Sequence, residues 1–180
     1  MSTANYPART LARVGIIGAN SMGIGIAKAL LDTDIPVTMF DKRPALDRGL
    51  GLLRASYDQT ATQLRTRCLA LFSATPRFHH LKDADLILEV MPMDADVREK
   101  FLRWLDEIGK PDAILAAHAS GYELDRIARL TRRPADVLGL DFSHPDDVSA
   151  QVKLVRGKQT SGETAATVLA LLGRIGRLET

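Results

Sequence analysis

Residues 15–30 read GIIGANSMGIGIAKAL, a glycine turn held between an apolar run and a helical pattern. Such a turn bares the free N–H groups of a helix start, which together with the positive end of the helix dipole attract a pyrophosphate. In the spacing G-x-G-x-x-G the first glycine makes the turn, the second admits backbone to the pyrophosphate, and the third packs helix on strand. Gly18 and Gly23 fill the first and third places, Asn20 takes the second, and Ser21 and Met22 complete the turn. Asparagine tolerates positive φ, but its side chain is expected to project toward the diphosphate and to weaken the grip. Asp41 closes the next apolar run 23 positions after Gly18, near the spacing of about 20 for an acid that takes the ribose hydroxyls. That favours NAD over NADP, although Lys42 and Arg43 follow. The competing reading is a tight strand-to-helix turn with no ligand.

A second group of reactive types lies downstream. His118 and Ser120 stand two apart at the end of an apolar run, so on a strand they point the same way and His118 could act as a base beside the hydroxyl. A hydrogen-bonded structural histidine is the plainer alternative. His144 is a lesser candidate, and His79 and His80 read as an exposed loop pair. No Cys and His spacing suggests zinc and no acidic loop suggests calcium, so no metal site is expected.

The elements that must position these residues follow from the pattern. Apolar runs of strand length at 13–18, 36–41, 70–74, 85–90, 113–119, 136–142 and 152–156 alternate with helical periods at 22–32, 45–67, 95–108, 122–130 and 161–175. That alternation predicts a doubly wound α/β domain of Rossmann type, a mostly parallel sheet with helices on both faces. Thr160 and Glu163 read as the capping box of the last helix. Ligands in such sheets bind beyond the carboxyl ends of the strands, where the residues named above fall. Leu102 and Leu105, and Val168, Leu171, Leu172 and Ile175, read as core stripes, with Trp104 a packing residue.

With 180 residues, 46% hydrophobic and 26% charged, the chain suits one domain, with residues 1–12 expected to be flexible. A net charge of +2 spread through mixed segments argues against nucleic acid; Arg126, Arg129, Arg132 and Arg133 read as an exposed helix end. No apolar run approaches a membrane span, the start MSTANYPARTLAR lacks the apolar core of a secretion signal, and Cys68 has no partner for an internal disulfide. The expected location is the cytoplasm.

The stretches GIIGANSMGIGIAKAL, VTMFDKRPALDRGL, DADLILEVMP, FLRWLDEIGKPDAILAAHAS, RRPADVLGLDFSHP and VKLVRGKQTSGETAATVLALLGRIG occur in an order that resembles the NAD-binding domain of L-3-hydroxyacyl-CoA dehydrogenases. The likeness runs from about Arg13 to Leu178 and is closest to the version in multifunctional fatty-acid oxidation proteins. It implies oxidation of a 3-hydroxyacyl-CoA by NAD, with a His held by a Glu removing the hydroxyl proton. It also implies a following helical domain, expected here to be missing or supplied by a partner.

Carried over by motif, the family's N-T-S reads His118-Ala119-Ser120, which keeps the substrate hydroxyl as Ser120. Its H-F-F-N-P or H-F-F-S-P reads Asp141 to Pro145, placing Asp141 at the catalytic His. Its L-L-E-V-V or L-V-E-V-V reads Gln151 to Val155, placing Lys153 at the orienting Glu, and the Glu after E-A-V-P is Met93. A carboxylate beside an ammonium is ionised at neutral pH and accepts a hydroxyl proton poorly. The resemblance therefore implies a weak NAD site, possible acyl-CoA contact, and little dehydrogenase activity from this chain alone. The alternatives are a non-catalytic nucleotide- or CoA-binding or interaction module, and another Rossmann oxidoreductase of the β-hydroxyacid dehydrogenase type.

Overall fold

The computed structural model describes residues 6–91, 93–118, 121–142 and 151–178. Seven strands form one sheet: β1 (Val14–Ile17), β2 (Val37–Phe40), β3 (Phe72–Thr75), β4 (Leu86–Glu89), β5 (Ile114–Ala117), β6 (Val137–Phe142) and β7 (Val152–Val155). Their order is β3-β2-β1-β4-β5-β6-β7, parallel except for β7, which runs antiparallel to β6. The order reverses between β1 and β4, which is where doubly wound sheets place their ligands. Strands β1, β4 and β5 are buried at every position, as strands covered by helices on both faces must be.

Side-chain alternation divides the core in two. Val14, Ile16, Leu86, Leu88, Leu138 and Leu140 face α1 (Ser21–Leu31), α2 (Arg43–Ala55), α3 (Thr62–Ala70) and α6 (Gly162–Arg174). Ile17, Ile87, Leu115 and Val137 face α4 (Ala95–Ile108) and α5 (Gly121–Ala128). Leu30 and Leu31 are fully buried, each contributing about 1.5–3 kcal/mol of transfer free energy. Leu102, Leu105, Val168, Leu171 and Leu172 are core, as their spacing predicts, but Trp104 is half exposed.

The helix expected over 45–67 is two helices, because the chain turns at Tyr57–Thr60. Tyr57 is fully buried there and its hydroxyl donates to Asp32 Oδ1 at 2.8 Å, a contact that a continuous helix would not satisfy. The cap of α6 is Ser161, not Thr160: Ser161 Oγ accepts the Thr164 N–H at 3.0 Å. Thr160 is buried and committed elsewhere, donating to Val137 O at 2.6 Å and accepting from Gly157 N at 2.9 Å. His79 and His80 lie in a short 3-10 turn (Phe78–Leu81), with His80 Nδ1 2.9 Å from Thr75 Oγ1.

Within the segment before β1, contacts to the rest of the domain gather from Arg9 onward. Arg9 Nη2 reaches Asp136 Oδ1 at 2.5 Å and Thr164 Oγ1 at 2.6 Å, Nη1 reaches Asp112 O at 2.8 Å, and the Arg9 N–H donates to Thr167 Oγ1 at 2.9 Å. Asp85 Oδ2 accepts the N–H groups of Ala12 and Arg13 at 2.8 and 3.0 Å, while Lys110 holds its other oxygen at 2.5 Å. These contacts lie at the amino edge of the sheet, opposite the glycine turn.

Candidate functional site

The glycine turn joins the carboxyl ends of β1, β2 and β4. Gly18 adopts φ +119°, and a Cβ there would stand 3.1 Å from Met91 Cβ and 3.2 Å from Met91 N. A Cβ at Gly23 would fall 2.1 Å from Gly18 O, so neither position admits a side chain. The Gly18 N–H donates to Phe40 O at 3.0 Å, tying the turn to the end of β2.

Asn20 corrects the expectation drawn from its type. Its backbone is extended, with φ −84° and ψ 178°, and it is the N-cap of α1. Oδ1 accepts the Gly23 N–H at 2.9 Å and Nδ2 donates to Val90 O at 2.9 Å. The side chain is turned back across the turn, not toward a diphosphate. The cause is ordinary capping: the first-turn N–H groups have no i−4 carbonyl, and asparagine is among the best residues to satisfy one. Ser21 and Met22 open the helix, Ser21 half-buried and Met22 buried.

Asp41 stands directly after β2 and its carboxylate is held on the turn. Oδ2 accepts the Ala19 N–H at 2.8 Å and Oδ1 accepts the Lys42 N–H at 2.7 Å. An ionised carboxylate offers about four acceptor sites, so this orientation leaves capacity for hydroxyl donors. Met91 and Met93, just past β4, are half-buried against the α4 side of the core.

Asp141 and Lys153 are register partners across the antiparallel β6–β7 ladder. Both side chains are exposed, and among the described residues no ion pair within 4.0 Å joins them. Water around both groups accounts for this: an exposed pair gains little by closing. Asp141 alternates with Leu140 and Phe142, which face α1 and α6, so Asp141 belongs to the α4 and α5 face. His118 lies the other way. Its ring is exposed and meets Phe142 nearly edge-on at 5.6 Å, and its backbone N–H donates to Glu89 O at 3.1 Å. His118 and Asp141 thus flank the sheet edge from opposite faces. Ser120 and His144 lie outside the described residues.

One pair escaped the reading from sequence. Glu89, the last residue of β4, is 4% exposed and is held by Arg98 of α4, with Nε 3.1 Å from Oε2 and Nη2 3.2 Å from Oε1. Arg98 Nη1 also lies 3.9 Å from Glu123 Oε1 on α5. Burial pushes the Glu89 carboxyl above its ordinary value, and Arg98 opposes that shift. The available signal was an acid inside the LILEV run, with an arginine nine positions on.

Residues 13–179 match the family described as 3-hydroxyacyl-CoA dehydrogenase, NAD binding domain. The chain belongs to that family. The probable 3-hydroxybutyryl-CoA dehydrogenase of Deinococcus radiodurans is 30% identical over 171 residues, covering 92% of this chain and 62% of the relative. The peroxisomal bifunctional enzyme of Cavia porcellus is 29% identical over 177 residues, covering 95% and 24%. The two relatives therefore match at nearly the same identity. The crystal structure of (S)-3-hydroxybutyryl-CoA dehydrogenase from Ralstonia eutropha superposes with a TM-score of 0.85 at 30% identity, covering 94% of this chain and 62% of that one. The chain spans about three-fifths of the length of such dehydrogenases.

The 3-hydroxyacyl-CoA dehydrogenase domain binds NAD, and the turn fits that group. Its two glycines have room for nothing larger, the Ser21 and Met22 amides have no carbonyl within the helix to bond, and the Asp41 carboxylate is held beside the turn with acceptor capacity to spare. Among the described residues no cluster could hold a metal ion and no helix is long and apolar enough to cross a membrane. Cys68, the sole cysteine, is free and buried.

Proposed function

We propose that this chain binds NAD(H) in a 3-hydroxyacyl-CoA dehydrogenase setting and lacks the proton-transfer pair for the oxidation. The observation that carries the reading is Asp141 facing Lys153 across the β6–β7 ladder, in the places the family's motifs give to His and Glu. NAD, when bound, supplies the hydride acceptor. The chain's own residues do the rest: the α1 amides of Ser21 and Met22 take the diphosphate, Asp41 orients the ribose, and the Met91 and Met93 side chains border the cofactor from β4. Asp141, exposed and a carboxylate, has no histidine's capacity to take a hydroxyl proton at neutral pH. The Asn20 side chain makes its two hydrogen bonds within the turn and to Val90.

The names of the relatives point to a 3-hydroxyacyl-CoA thioester as the substrate class. A helical domain, on further chain or on a partner, is our candidate for the remaining wall of the acyl site, because this chain covers 62% of the Deinococcus relative. The same reading places this chemistry in the cytoplasm.

The test mixes the chain with NADH, followed by fluorescence, and then supplies NAD and 3-hydroxybutyryl-CoA. We expect NADH binding without NADH formation, since loss of a general base alone costs roughly 10²- to 10⁴-fold. Robust turnover abolished by His118→Ala would refute the reading and make His118 the base.

A further inference from the structure

The carboxamide of Asn20 bridges two elements by hydrogen bonds. Gly23 N–H belongs to the first turn of α1 and Val90 C=O to the end of β4, 70 positions from Asn20 in sequence. One oxygen and one amide nitrogen satisfy both at 2.9 Å, while the backbone keeps an ordinary extended conformation. We infer that Asn20 is a positioning residue for the cofactor diphosphate: its side chain fixes the turn that presents the Ser21 and Met22 amides. The inference rests on the NAD reading above.

The residue type follows from the geometry. Glycine in this place would leave the Gly23 N–H and the Val90 carbonyl to solvent, and a bridging water must be immobilised each time the turn closes on ligand. The tethered carboxamide makes the same two bonds before the ligand arrives, which lowers the ordering cost of binding. Serine would cap Gly23 and fall short of Val90. Aspartate would cap it as well as asparagine does, but it would lose the donor and set a negative charge beside a dianionic ligand. Only a neutral group carrying both donor and acceptor serves all three demands. Asn20 is exposed despite its two bonds, so it lies at the surface a cofactor would cover.

The experiment compares ADP-ribose, which carries the diphosphate, with adenosine, which does not, by calorimetry on the full chain and on Asn20→Gly, Asn20→Ser and Asn20→Asp. Melting curves establish that each variant is folded. We expect Asn20→Gly to lose about tenfold in ADP-ribose affinity with adenosine unchanged, the cost of holding a replacement water. Asn20→Ser should lose less, since it keeps the Gly23 cap. Asn20→Asp should lose at least as much as the glycine variant near pH 8 and recover part of it near pH 4, where a carboxyl begins to protonate. Equal or tighter ADP-ribose binding in Asn20→Gly would overturn the inference while leaving the NAD reading standing. Equal weakening of adenosine and ADP-ribose would also overturn it, showing a general loosening of the site. Failure of the unaltered chain to bind either ligand would remove the NAD reading and this inference with it.

Discussion

Arg98→Leu should unbalance the core beneath the candidate site in a manner that pH can read. The substitution leaves Glu89, 4% exposed at the end of β4, without the guanidinium 3.1 Å away. Breaking a buried ion pair by removing one partner costs about 3–5 kcal/mol, because the remaining charge is neither solvated nor compensated. For a domain of this size, with an unfolding entropy of about 2.1 cal/mol/K per residue, that loss lowers the melting temperature by roughly 8 to 13 °C. Burial already raises the Glu89 carboxyl and Arg98 opposes it, so loss of Arg98 raises it further. A group raised in the folded state contributes stability that is complete below its unfolded value and is lost as pH rises through the folded one. The deficit of Arg98→Leu should therefore be largest near pH 8 and shrink as pH falls and Glu89 takes up a proton. The double variant Glu89→Gln/Arg98→Leu should recover much of the loss at pH 8. Urea midpoints at pH 8 and below measure all of this. A deficit under about 1 kcal/mol, the range of a surface pair, or one that ignores pH, would refute the account of Glu89 as a buried charge.

Two further outcomes follow from the coordinates. Gly23→Ala drives a methyl to 2.1 Å from Gly18 O; the turn has to open, stability should fall by about 1–3 kcal/mol, and NADH fluorescence should no longer respond to the protein. Asp85 is pushed up by its burial, but Lys110 and the N–H groups of Ala12 and Arg13 outweigh that and hold it below its usual value. Its contribution is present above the unfolded carboxyl value near about 3.9 and lost as pH falls through the folded one. Asp85→Asn should therefore flatten the acid limb of the stability curve measured by thermal melts from pH 6 downward.

The sheet was legible because its signal is local. The central strands β1, β4 and β5 are apolar runs buried on both faces, and all seven strands appear within a residue or two of the expected places. The glycine turn was legible for the same reason: Gly23 is demanded by Gly18 O five positions back, and Gly18 by its own positive φ. What failed depended on partners distant in sequence. Nothing near Asn20 says that its amide will find the carbonyl of Val90, and nothing near Tyr57 says that Asp32 will draw it in and break the helix. The Glu89 and Arg98 pair exists only once α4 lies against β4. Thr160 and Ser161 are adjacent cap formers, and the choice between them is made by the buried carbonyl of Val137, 23 positions away. The sequence likewise put His118 and Asp141 in one candidate site; strand alternation sets them on opposite faces.

The Arg9 contacts bear on where this domain begins as a physical object. The family match starts at residue 13, and a boundary drawn there would trim away Arg9. Yet Arg9 gathers the entry to β6 through Asp136, the first turn of α6 through Thr164 and the loop before β5 through Asp112. Tyr6 lies against Gly162 so closely that a Cβ on the glycine would come within 2.5 Å of its ring. The leader is thus a clasp on the edge opposite the cofactor turn, joining the half of the sheet that carries Asp141 and Lys153 to the helix that backs it. Ancestry and mechanics mark different extents: the family match opens at Arg13, while the contacts that hold the unit together include Arg9 and Tyr6.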